Sequence, residues 1–138
     1  MERVLLIDDE PSVRLFYSDV LAERGFEVVE ASSGDEALAL IQNEVPDLVV
    51  LDIKLGSQSG LTVLQQIVCS NPRLPTILLT GYVSFQDDYT SWLADSYVMK
   101  SSDPREFLEE VERTLKNAGV RAAPERFSQA AARALDSL

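Results

Sequence analysis

Four short, almost uninterrupted apolar runs punctuate the chain: Val4-Leu5-Leu6-Ile7, Leu48-Val49-Val50-Leu51, Thr76-Ile77-Leu78-Leu79 and Tyr97-Val98-Met99. Runs this short without polar alternation read as strands buried on both faces. Between them apolar residues recur at helical spacing, so strands and helices alternate. That order predicts an α/β domain whose parallel sheet is doubly wound by right-handed crossovers. Pro11 suits the first turn of a helix, Val13, Phe16, Tyr17, Val20 and Leu21 share one buried face, and Gly25 ends it. Residues 26–31 read as a second strand. Ser32 or Ser33 can cap the next helix, with Glu36 completing a capping box, and the helix runs through Ala37, Leu38 and Ile41 towards Pro46.

Residues 47–53 form the central strand of this reading, 54–60 a Gly/Ser loop, and 61–70 a helix closed by Asn71-Pro72. The fourth strand, 76–80, precedes a segment in which Phe85, Tyr89, Trp92 and Leu93 share a helical face. The fifth strand is 96–100. Asp103 then caps a last helix, starting at Pro104, that buries Phe107, Leu108, Val111 and Leu115 and ends at Asn117-Ala118-Gly119. The domain is thus expected at residues 1–119. Residues 120–138 form a short Ala-rich tail, expected to be helical, and a helix of that length needs a surface to pack on.

Polar residues of a particular kind end these strands: Asp8 and Asp9, Asp52, Thr80 and Lys100. Ligands of doubly wound sheets bind at the carboxyl ends of the strands. One sheet edge would therefore gather three carboxylates, a hydroxyl and an ammonium. Crowded carboxylates repel one another unless a cation joins them, and oxygen ligands suit a hard divalent ion such as Mg²⁺. A carboxylate can also act as nucleophile towards a phosphoryl donor, and Asp52, after the most buried strand, is placed for that part. Singly, each residue has a plainer reading. The Asp8–Asp9 pair could cap a helix, Asp52 could be a loop carboxylate, Thr80 could be structural and Lys100 solvated. The argument for chemistry lies in the set.

Composition narrows the choice. With one cysteine and no histidine in 138 residues, a disulfide framework, a zinc site or a haem site is not expected. Cys69, within a helix, reads as a small buried hydrophobe. The net charge of −11 argues against sequence-independent nucleic-acid binding. Residues 1–118 carry 9 basic and 21 acidic groups, whereas 119–138 carry 3 and 2. No apolar run reaches membrane-span length, and the first strand begins too early to leave room for a signal peptide, so a cytoplasmic location is expected.

The stretches VLLIDDEPSVR, PDLVVLDIKLGSQSGL, PTILLTGY and DSYVMK resemble the receiver domain of two-component response regulators, the module shared with chemotaxis regulators, over residues 3 to about 118. The resemblance implies a flavodoxin-like fold: a five-stranded parallel sheet of order 2-1-3-4-5 with helices on both faces. By the same resemblance Asp52 is the phosphoacceptor, and Asp9, Asp52 and the Lys54 carbonyl hold Mg²⁺, with Asp8 acting partly through water. Thr80 and Tyr97 match the switch pair, and Lys100 the lysine that contacts phosphoryl oxygens. The implied partners are a sensor histidine kinase or phosphotransfer protein, and a downstream protein docking on the fourth helix, fifth strand and fifth helix. Neither nucleic acid nor membrane is implied. The tail is expected to pack on its own domain or to support a homodimer.

Three departures stand out. Ser101 follows Lys100 where the family usually has proline, so the peptide between them should be trans, or cis only under strain. Gly56 replaces a usual proline in the loop after Asp52, which should loosen that loop. Only 19 residues separate Thr80 from Lys100, which predicts a short or irregular fourth helix. Lys54 and Tyr82 fall where they could shield an acyl phosphate from water. Two rival readings remain: an interaction module of the same fold that works without phosphate, and a phosphatase with an aspartyl nucleophile. The second needs an acid two positions after the nucleophile, and residue 54 is lysine. A receiver would transfer a phosphoryl group to and from itself rather than turn over a metabolite.

Overall fold

The structure, a computed structural model, describes residues 1–81 and 93–120. Five strands, β1 (Arg3–Ile7), β2 (Glu27–Ala31), β3 (Leu48–Leu51), β6 (Thr76–Thr80) and β7 (Ser96–Met99), form one parallel sheet in the order β2-β1-β3-β6-β7. Counting only these five, the order is 2-1-3-4-5, as expected. The remaining pair, β4 (Lys54–Leu55) and β5 (Gln58–Ser59), is a small antiparallel ladder. Among the described residues the helices are α1 (Pro11–Glu23), α2 (Gly34–Asn43), α3 (Gly60–Ser70) and α4 (Arg105–Val120).

Side-chain alternation along the strands splits the core into two layers. Val4, Leu6, Leu48, Val50, Ile77 and Leu79 face α1 and α4, meeting Tyr17, Leu21, Phe107 and Val111. Leu5, Ile7, Val49, Leu51 and Leu78 face α2 and α3, meeting Ala37, Ile41, Leu64 and Ile67. Every residue of β3 and β6 is buried, which is why those strands read as continuous apolar runs.

Most helix ends follow the expected chemistry. Ser33 Oγ accepts from the Glu36 N–H at 3.1 Å, and Glu36 reaches back to the Ser32 N–H at 2.7 Å rather than to that of Ser33. Gly25 ends α1 with its N–H on the Ala22 carbonyl. Asp103 accepts from the Arg105 N–H, and the Pro104 carbonyl takes the first bond of α4, so that helix begins one residue later than expected. It also runs on to Val120.

Three expectations need correction. Residues 54–60 are not a plain loop: a turn at Gly56, whose φ of +60° suits glycine, folds the β4–β5 ladder, and α3 starts at Gly60. Phe16 is 37 % exposed, because the sheet takes up Tyr17 and Leu21 and leaves this ring at the margin of the stripe. Cys69 is exposed rather than buried, since it falls one step off the face formed by Val63, Leu64, Ile67 and Val68. It lines an open groove of about 780 Å³ between α2 and α3 with Leu38, Ile41 and Val45. The proposed helical face at Phe85, Tyr89 and Trp92, the role of Tyr82 and the tail helix lie outside the described residues. Leu93 is buried. Among the described residues no helix is long and apolar enough to cross a membrane.

Candidate functional site

At the carboxyl ends of the central strands the structure brings Asp8, Asp52 and Lys100 into contact. Asp8 follows β1, and its backbone N–H donates to Ala31 at the end of β2. Asp52 follows β3, and its N–H donates to Ile7 at 3.0 Å, so the two carboxylates leave adjacent strand ends. Both are almost wholly buried, at 1 % and 4 % exposure. Lys100 follows β7, and its N–H donates to the Thr80 carbonyl at 2.8 Å. Its Nζ lies 3.0 Å from Asp8 Oδ2 and 3.1 Å from Asp52 Oδ2, one ammonium spanning two carboxylates.

The other carboxylate oxygens are fixed by the backbone. Asp8 Oδ1 accepts from the Glu10 N–H at 2.9 Å, and Asp52 Oδ1 from the Lys54 N–H at 3.3 Å. Arg14 holds the acid loop by donating to the Asp8 carbonyl at 2.6 Å. Burial pushes the Asp52 carboxyl above the ordinary aspartate range, Lys100 pulls it down, and the charge of Asp8 raises it again. For Lys100, burial lowers the ammonium. The hydrogen bond to Asp8 and the charges of Asp52 and Asp8 outweigh that, leaving it above the usual lysine value. The lysine is therefore charged, and the acids outnumber it.

Asp9 is exposed, beside Asp8. The carboxylates of Asp8, Asp9 and Glu10 bring ligand atoms within 4.8 Å of one another. Gly56, in the turn after Asp52, lies against Asp9, so the two acid-bearing loops meet. An all-oxygen set with excess negative charge fits a hard divalent cation such as Mg²⁺. Glu10 was not singled out from the sequence, although three consecutive acids after a strand were the available signal. Lys54 is exposed.

Thr80 is fully buried at the end of β6, paired in register with Met99. Tyr97, on β7, is half-buried against the α2–α3 side of the core, and that burial raises its phenol pKa. The Lys100–Ser101 peptide is trans, the unstrained alternative expected for a non-proline residue. Gly60 packs directly on the Asp52–Ile53 backbone: its N–H donates to the Ile53 carbonyl at 2.5 Å.

Residues 4–112 match the family model for the response regulator receiver domain. The chain belongs to the response regulator receiver family. Similar proteins include TcrX of Mycobacterium tuberculosis, described as a probable transcriptional regulatory protein. It is 35 % identical over 119 residues, covering 85 % of this chain and 51 % of that protein. Among solved structures, TrrA from Thermotoga maritima in complex with Mg²⁺–BeF superposes with a TM-score of 0.81 at 39 % identity, over 83 % of this chain and 99 % of that one. TrrA in complex with the histidine kinase ThkA gives 0.78 at 40 % identity, with the same coverage. The chain spans about half the length of the curated regulators it matches.

Proposed function

We propose that this receiver accepts a phosphoryl group on Asp52 from the phosphohistidine of a sensor kinase or phosphotransfer protein. The observation that carries the reading is the Lys100 ammonium held between the buried Asp8 and Asp52 carboxylates at the strand ends. An Asp52 carboxylate oxygen attacks phosphorus. The O–P bond forms as the P–N bond breaks, and the electron pair returns to the imidazole nitrogen, which takes up a proton. Lys100 Nζ moves its charge to the phosphoryl oxygens, and the Thr80 hydroxyl donates to one of them. Asp8, Asp9, Asp52 and the Lys54 carbonyl are the residues to hold Mg²⁺, which when bound neutralises charge on the acids and the phosphoryl oxygens.

Modification then biases an existing equilibrium between two conformations, with Thr80 drawn towards the phosphoryl group and Tyr97 turning inward. The output is a protein partner that docks on β7, α4 and the segment around residues 85–93 that the sequence reading takes as a helix. In this reading residues 1–119 are the phosphoacceptor module, 120–138 an appended tail, and the site of action is the cytoplasm. Lys54 and Tyr82 shield the acyl phosphate.

Mass spectrometry after exposure to phosphoramidate tests the assignment. The wild type should gain one phosphoryl mass only with Mg²⁺ present, and Asp52→Asn should gain none. An unmodified wild type would point instead to a module that signals without phosphate.

A further inference from the structure

Ser101, the residue after the lysine, has left the sheet, and its backbone N–H and C=O both turn to a single atom 84 positions away. Tyr17 Oη accepts from the Ser101 N–H at 3.0 Å and donates to the Ser101 carbonyl at 3.2 Å. Tyr17 is 3 % exposed, and its ring meets Phe107 of α4 edge-on with centroids 4.9 Å apart. A buried phenol whose donor and acceptor are both engaged has little freedom to move. Proline at position 101 would have no N–H to offer. Serine does, and the tyrosine meets it.

Tyr17 lies on α1, the helix that leads directly out of the Asp8–Asp9 loop. Its hydroxyl therefore ties that helix to the segment bearing Lys100, whose Nζ returns to Asp8 and Asp52. The segment is pinned on both sides of the lysine, by the Lys100 N–H on Thr80 and by the Ser101 pair on Tyr17. We propose that Tyr17 is a positioning residue for Lys100: its hydroxyl fixes the backbone after the lysine so that the ammonium stays between the two carboxylates. The tyrosine itself touches neither carboxylate nor phosphoryl group. The kinetic consequence rests on phosphotransfer to Asp52; the clamp itself does not.

Tyr17→Phe keeps the ring and removes only Oη. In metal-free protein, amide exchange at Ser101 should be slow in the wild type and about tenfold faster in the variant, the worth of one lost hydrogen bond. The Lys100 ammonium resonance should be observable in the wild type and lost or shifted in the variant. Phosphate uptake from phosphoramidate at saturating Mg²⁺ should fall about fivefold, on the scale of one hydrogen bond. In a Lys100→Gln background the same substitution should change uptake no further, because the tyrosine acts through the lysine. Equal exchange at Ser101 in both proteins, an unmoved Lys100 resonance, or equal losses with and without Lys100 would each overturn the proposal. A wild type that takes no phosphate would count against the Asp52 assignment, and the exchange and resonance measurements would still decide on the clamp.

Discussion

Lys100→Gln should destabilise the metal-free protein by about 3 kcal/mol, since removing one partner from a buried ion cluster leaves its opposite charges uncompensated. Asp8 and Asp52, both almost fully buried, would then face each other without the ammonium that now spans them. Partial contact of the lysine side chain with solvent, 21 % exposed, keeps the effect at the lower end of what such losses cost. Adding Asp52→Asn should recover much of the loss by removing one of the two stranded charges. Urea denaturation with EDTA present measures both variants. A Lys100→Gln protein as stable as the wild type would mean that the acids do not feel each other, and the electrostatic reading of the site would fail.

Gly60→Ala should cost about 3 kcal/mol, the scale of overpacking that backbone must absorb. A Cβ at Gly60 would run into the Asp52 carbonyl and into Cα and O of Ile53, with no flexible side chain to give way. The strain falls on the peptide that presents the phosphoacceptor, so phosphate uptake should drop as well. Gly81→Ala is the control. Among the described residues nothing lies within 4 Å of a Cβ there, and its stability should stay within about 0.5 kcal/mol of the wild type. If the two alanine variants unfold at the same urea concentration, the close packing of α3 on Asp52 has no energetic weight.

The strands were legible because β3 and β6 are buried on both faces, which leaves an apolar run with no alternation to misread. Their polar ends pointed to the cluster that Asp8, Asp52 and Lys100 form, since each follows a strand. Helix boundaries were legible where a local signal exists, as at Ser33 with Glu36 and at Asp103. What escaped was short or long-range. The β4–β5 ladder has two residues a side, too few for any period to show. Cys69 and Phe16 sit at the margin of their helical stripes, where a step of 100° decides exposure and sequence spacing cannot. Tyr17 was read correctly as a core residue, but its hydroxyl finds its partner 84 positions later. The serine at 101 was visible as a departure, though not what would meet its N–H.

Beryllofluoride with Mg²⁺, a mimic of the phosphoryl group, tests the central assignment most directly when followed by amide NMR. Shifts should concentrate at residues 8–10, 52–54, 80 and 97–101 in the wild type and vanish in Asp52→Asn. Unchanged spectra in the wild type, or the same shifts in both proteins, would contradict it.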